Sequence, residues 1–177
     1  MEILSTPLDG VFVLKSKLFD DERGFFLEAY KESLFKEKNL CASWVQDNVS
    51  FSHKGVVRGL HFQKDPFAQI KLVRVLAGRA FDVAVDLRKG SKTFGKSYSL
   101  ELSFNNGLAL YIPDGFAHGF QALEDSTVLS YKCSRAYNPS SESGILWNDP
   151  GLNIEWPLRS KAICSPKDQK LLSMKEL

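Results

Sequence analysis

The chain is expected to be mainly β, a sandwich or barrel of many short strands in one domain spanning residues 1–177. Three observations carry this expectation. First, strand-length segments rich in Val, Leu, Phe and Tyr follow one another at 56–62, 70–76, 79–87, 97–103, 108–112, 118–123 and 127–133. Second, Gly, Pro, Asn and Asp separate them at nearly even spacing, as at Ala77-Gly78-Arg79 and Phe104-Asn105-Asn106-Gly107. Those residues supply turn geometry, and short strands with regular turns close into sandwiches or barrels. Third, helical periodicity is confined to short stretches near the two ends.

Taken in order, residues 11–14 and 24–30 read as short strands, with 20–24 (Asp-Asp-Glu-Arg-Gly) as the polar turn between them. Residues 31–39 form the clearest helix candidate, with Leu34 and Phe35 facing inward among Lys and Glu. The strand-like region follows. The last forty residues change character: Trp147-Asn148-Asp149-Pro150-Gly151 and Glu155-Trp156-Pro157-Leu158 read as a looped cover. Ser165-Pro166-Lys167-Asp168 opens a short helix, with Ser165 as N-cap and Pro166 at the first helical position.

Composition narrows the function classes. With 177 residues the chain can bury a substantial core, and 44% hydrophobic with 25% charged residues is ordinary for a soluble globular protein. A net charge of +2 argues for neither nucleic acid nor membrane surfaces as partners. No apolar run approaches the ~18 residues of a membrane span, and the first residues lack a signal-peptide pattern. Cys41, Cys133 and Cys164 are odd in number and widely spaced, which argues against a disulfide framework or a clustered zinc site. A cytoplasmic location follows as the simplest expectation.

The segment Arg58-Gly59-Leu60-His61-Phe62-Gln63, followed by Lys71, is the richest in chemistry. Strand alternation puts His61 and Gln63 on one face and Leu60 and Phe62 on the other. Core strands rarely carry ionisable groups, because an unpaired buried charge is costly. A His and a Lys on adjacent strands therefore suggest a pocket. Each residue also has a plainer reading: His61 as a hydrogen-bonded core histidine, Lys71 as an edge-strand lysine, His118 as a turn cap after Pro113. Tyr131 alternates with Leu129 and Cys133, as a core tyrosine would, and Asp168 suits the first turn of a helix. His53, beside Lys54, reads as solvated; Arg74, Arg79 and Arg88 read as surface or turn residues; Trp44, Trp147 and Trp156 read as packing.

Gly107, then Pro113-Asp114-Gly115 and Phe116-Ala117-His118, resembles the second motif of the cupins, and Gly55 to His61 resembles the start of the first. The resemblance implies a jelly-roll barrel (double-stranded β-helix) with a few short helices. Where a metal-binding cupin has its second histidine stands Gln63, and no Glu lies between Gln63 and Lys71. A lysine is a poor companion for a cation. No metal and no cofactor are expected.

More specifically, the chain resembles the dTDP-4-dehydrorhamnose 3,5-epimerase family. The matching pieces are Glu22-Arg23-Gly24-Phe25-Phe26, Gln46-Asp47-Asn48-Val49-Ser50, the Arg58 segment, Gln69 to Val75, Phe81 to Arg88, Ile112 to Phe120, Gly144 to Pro150 and Ser165 to Asp168, in the family's order. That resemblance implies epimerisation at C-3 and C-5 of a dTDP-4-keto-6-deoxyhexose. The C-4 ketone acidifies both carbons, and inversion needs a base, a holder for the enolate oxygen and an acid on the opposite face. It implies His61 as base, oriented by Asp168, Lys71 as the enolate holder and Tyr131 as acid. It implies substrate contacts from Arg23, Glu28, Gln46, Asp47, Asn48, Arg58, His118, Tyr137, Glu142 and Lys167, and a homodimer whose N-terminal segment reaches the partner's site. A single-carbon epimerase on a related nucleotide ketosugar, or an idle nucleotide-sugar-binding cupin, would share most of these residues.

Overall fold

The protein is described by a computed structural model covering residues 1–41 and 43–177. In chain order its elements are β1 (Glu2–Ser5), β2 (Phe12–Lys15), β3 (Leu18–Asp21), β4 (Gly24–Leu27), α1 (Glu32–Glu37), β5 (Gln46–Ser52), β6 (Val57–Gln63) and β7 (Lys71–Ala77). They continue with β8 (Arg79–Asp86), β9 (Ser97–Ser103), β10 (Leu108–Ile112), β11 (Phe116–Ala122), β12 (Thr127–Cys133) and β13 (Glu142–Gly144), then three single-turn 3-10 helices. The seven anticipated core strands are all present. Four further strands did not stand out in the sequence, among them the three-residue edge strand β13. β1 lies at a sheet edge and is largely exposed, β3 carries Asp20 and Asp21, and β5 alternates polar Gln46, Asn48, Ser50 and Ser52 with mixed residues.

Two antiparallel sheets face each other as a jelly-roll barrel. One has the order β1-β2-β10-β7-β12-β5, the other β13-β6-β11-β8-β9, and β3-β4 forms a separate hairpin. The 20–24 turn is the tip of that hairpin, with Asp21 paired to Gly24. Strand alternation gives each sheet two faces, and both are used. Val73, Val75, Leu110, Ile112 and Leu129 of the first sheet meet Ala80, Ala84, Leu102, Phe116 and Phe120 of the second in the central core. The outer face of the second sheet (Val57, Leu60, Val83, Val85, Ala117) is covered by Ile145, Leu152, Ile154 and Trp156. This is the looped cover expected of the last forty residues. The outer face of the first sheet buries Leu14, Leu72, Ala109 and Tyr111 under Phe35 of α1, which is fully buried, while Leu34 beside it is half-buried. Trp44, Trp147 and Trp156 all serve as packing in these two outer layers.

Two glycines set the geometry between β6 and β11. Gly59 has φ of +125°, a region L side chains rarely adopt, and a Cβ there would lie 2.6 Å from the Cα of Gly119. The β6–β11 register shifts between His118 and Phe120 at this point. The backbones approach where Arg58 and His61 leave the strand, so the local irregularity aims both side chains.

Candidate active site

A cavity of about 640 Å³ opens between the two sheets at one end of the barrel. It is lined by Gln46, Asn48, Arg58, His61, Lys71, His118, Tyr131, Tyr137, Glu142 and Asp168 among others. The sheets contribute different chemistry. β6 and β11 of the second sheet supply His61 and His118, which are register partners. β7 and β12 of the first sheet supply Lys71 and Tyr131, and β5 supplies Asn48, the register partner of Tyr131.

His61 Nε2 lies 2.8 Å from Asp168 Oδ1. With Nε2 protonated it donates to the carboxylate, and Nδ1 keeps a lone pair; the ring is 32% exposed whereas the Asp168 carboxyl is buried. The Gly59 N–H also donates to Asp168, at 3.2 Å. Burial pushes the Asp168 carboxyl up, but the hydrogen bond and charge of His61, with the Gly59 N–H, outweigh it and hold the group below the usual carboxylate range. Asp168 reaches this position from a 3-10 turn whose first N–H groups are satisfied by Ser165: the Asp168 N–H donates to Ser165 Oγ at 3.0 Å. The expected short helix is a single turn, Asp168–Lys170, with Lys167 at its N-cap: Ser165 lies two residues earlier, and Pro166 precedes the turn instead of opening it.

Lys71 is buried, and among the described residues no carboxylate lies within ion-pair distance of its Nζ. Its ammonium sits 5.8 Å from the centroid of the Tyr131 ring. Burial pulls its pKa below the ordinary lysine value, opposed by the nearby acidic groups Cys133, Asp82 and Glu142. The Tyr131 phenol is pushed upward, chiefly by burial, so it holds its proton firmly. Across the barrel the Tyr131 and His118 rings meet edge to face at 6.3 Å. His118 is not a turn cap: it sits within β11, buried, with Nε2 at 3.0 and 3.1 Å from the two carboxylate oxygens of Asp82.

The rim is polar and tied together. Arg58 Nε donates to Ser52 Oγ at 3.1 Å and its Nη2 to the Phe51 carbonyl at 2.9 Å, which holds the guanidinium at the mouth. Glu142 Oε2 accepts from Tyr137 Oη and Lys167 Nζ, each at 2.6 Å. The Tyr137 N–H donates to Gln46 Oε1, and Gln46 in turn donates to Asn48. Lys167 thus stands beside the cavity without lining it. Three other anticipated contacts lie outside it in this chain. Asp47 points off the opposite face of β5 and pairs with Lys132 at 2.9 Å. Arg23 is exposed on the hairpin and pairs with Asp21, and Glu28 is exposed on the segment that follows β4.

Some participants were not anticipated. Asp82 carries a legible signal: it alternates with Ala80 and Ala84 on one face of β8, where a carboxylate needs a reason to be buried. Gln63, at the position of a cupin's second histidine, donates its amide to the Phe67 carbonyl at 2.7 Å and accepts from the Asn138 N–H. It works as a brace for the 134–141 loop. Arg79 and Arg88 are held by Glu101, Glu124 and Asp86 away from the cavity, and all three cysteines are free.

The chain is similar to known proteins over its full length. The family profile described as dTDP-4-dehydrorhamnose 3,5-epimerase matches residues 5–176. A protein of that name from Methanothermobacter thermautotrophicus is 46% identical over 98% of this chain and 94% of its own. A crystal structure of the enzyme of that name from Elizabethkingia anophelis superposes with a TM-score of 0.95 at 48% identity, covering 99% of this chain and 97% of that one. A Legionella pneumophila epimerase in complex with dTDP-4-keto-L-rhamnose superposes with a TM-score of 0.94 at 44% identity, covering 98% and 93%. With this fold, this cavity and these full-length likenesses, the chain belongs to the dTDP-4-dehydrorhamnose 3,5-epimerase family.

Proposed function

We infer that this protein epimerises C-3 and C-5 of dTDP-4-keto-6-deoxy-D-glucose to give dTDP-4-keto-L-rhamnose, a step of dTDP-L-rhamnose biosynthesis. The observation that carries the reading is the opposed placement of a His61–Asp168 dyad on one sheet and Lys71 with Tyr131 on the other, across one cavity. His61 Nδ1 takes the proton from the carbon next to the ketone, and Asp168 steadies the imidazolium that forms. Lys71 holds the negative charge that develops on the C-4 oxygen; in a site screened from water such a cation is worth far more than in solution. Tyr131 returns a proton from the opposite side of the ring, which inverts the carbon. Repetition at the second carbon uses the same groups.

Arg58 at the mouth suits the diphosphate, since a guanidinium meets phosphate oxygens with paired hydrogen bonds. Tyr137, half exposed on the rim, offers a stacking face for the base, and Gln46, Asn48, His118, Glu142 and Lys167 supply polar contacts. Each step is a proton transfer that the chain's own residues supply. Residues 1–177 act as one catalytic domain.

The same reading includes a homodimer. Arg23 and Glu28 are distant from their own chain's cavity yet match substrate positions of the family. The hairpin bearing Arg23 exposes Phe19 and Phe26, and the free edge of the first sheet exposes Val49 and Phe51. A second copy covering those surfaces would bring Arg23 and Glu28 to its site. Among the described residues no helix is long and apolar enough to cross a membrane. Three free cysteines support a reducing, cytoplasmic setting.

The deciding experiment is incubation with dTDP-4-keto-6-deoxyglucose in deuterated water, followed by NMR of the sugar. Deuterium at both C-3 and C-5 with the L-configured product is expected. Label at one carbon would reassign the protein as a single-site epimerase, and binding without label would make it a nucleotide-sugar binder.

A further inference from the structure

Asp82 occupies a position that packing alone does not explain. It is fully buried, and its neighbours on the inward face of β8 are Ala80 and Ala84, both members of the central apolar core. Phe116 and Phe120, which flank His118 on the inward face of β11, belong to the same core. A carboxylate placed there gives up its hydration, and among the described residues its only hydrogen-bonded partner is His118 Nε2, at 3.0 and 3.1 Å. Filling the site with an apolar side chain would be the cheaper solution for stability. The ring it holds lines the cavity, faces Tyr131 edge to face and stands opposite His61 in the β6–β11 register. Among the described residues no partner is seen for the other ring nitrogen of His118, Nδ1.

We propose that Asp82 is a positioning residue for the epimerisation: it fixes the His118 ring with Nε2 turned inward, so that Nδ1 is presented to the cavity, and sets its carboxylate beneath Lys71. This rests on the epimerase reading above. The barrel then carries two His-carboxylate pairs on one sheet: an accessible one, His61–Asp168, that moves protons, and a buried one, Asp82–His118, that shapes the floor where the C-4 oxygen is held. Asp82 does not touch the substrate; it acts through His118 and through its field on Lys71. The groups facing Lys71 are Tyr131 and Cys133 from β12, Asp82 from β8 and Glu142 from β13, and of the three acidic ones Asp82 is the carboxylate shielded completely from solvent.

The test uses the full-length protein and three variants: Asp82→Asn, which keeps shape but loses charge, His118→Asn, and the double variant. For Asp82→Asn we expect kcat to fall between about tenfold and a hundredfold, the range that loss of ground-state positioning produces. The dissociation constant for dTDP, measured by calorimetry, should stay unchanged. In the His118→Asn background the same change should cost much less, because residues that act as a unit are not additive. The alkaline limb of kcat should also move to lower pH, because Lys71 loses one of the anions that offset its burial. Wild-type kcat in Asp82→Asn, additive losses in the double variant, or an unmoved limb with a loss that merely tracks unfolded protein would each overturn the proposal. A wild-type protein that binds dTDP but exchanges no hydrogen would instead overturn the epimerase reading, and the role of Asp82 would fall with it.

Discussion

His61 Nε2 and Asp168 Oδ1 meet at 2.8 Å although 107 residues separate them in the chain. The strand offers the imidazole and a single 3-10 turn near the C-terminus offers the carboxylate. Neither element positions the other without the barrel between them. In Asp168→Asn the shape survives but the imidazolium loses its counter-charge and the tautomer is no longer fixed. Steady-state kinetics should show kcat lower by about 10²–10⁴, as in other His-carboxylate dyads, with KM little changed.

The same carboxylate makes stability depend on pH. Its folded-state pKa is lowered, so its contribution is fully present above the unfolded carboxylate value of ~3.9 and is lost as pH falls through the lower folded value. Urea unfolding of wild type should therefore weaken more between pH 6 and pH 3 than that of Asp168→Asn. Parallel curves for the two proteins would contradict the assignment.

Tyr131→Phe removes the proposed acid while leaving His61, Asp168 and Lys71 in place. Abstraction from the sugar should continue, seen as deuterium incorporated without inversion, while net product formation falls by about 10²–10³. Equal loss of exchange and of inversion would mean that Tyr131 acts earlier, in abstraction.

Lys71→Met should separate activity from stability. A buried ammonium with no ion-pair partner among the described residues is destabilising to the fold, so an apolar side chain of similar length should raise stability by about 1 kcal/mol or more. Loss of the enolate holder should lower kcat by about 10²–10³. Denaturant midpoints and single-turnover rates check both halves, and a destabilised Lys71→Met protein would argue against the buried-charge account.

Gly59→Ala tests the backbone contact that aims His61. A Cβ at φ +125° meets Gly119 backbone at 2.6 Å, so strain and displacement should together cost about 1–3 kcal/mol. Circular dichroism melts should show the loss, and the folded fraction should also have lower kcat because β6 shifts. Full activity in the folded fraction would show that the contact serves stability alone.

Much of the architecture could be read in advance because the seven core strands carry strong apolar patterns, and turns such as Ala77-Gly78-Arg79 need residues that few positions tolerate. The elements that escaped notice, β1, β3, β5 and β13, are edge or hairpin strands. Partner strands on one side only and half-exposed faces leave a mixed pattern in the sequence. Of the site, His61, Lys71, Tyr131 and Asp168 were named from their motifs, and the cavity brings all four together. Asp82 and the bracing role of Gln63 were missed, since each depends on a partner far away in the chain.

Residue order alone carries the mainly β class, the positions of the central strands and the presence of Gln63 where a metal-binding cupin has its second histidine. Those follow from local alternation, turn chemistry and residue type, which act over a few positions. Tertiary structure alone decided that His61 and His118 share one sheet while Lys71 and Tyr131 share the other, that Asp168 bonds Nε2 and that Asp82 lies buried under His118. Those relations join residues tens of positions apart, and only the register of the strands and the closure of the barrel bring their side chains within hydrogen-bond reach.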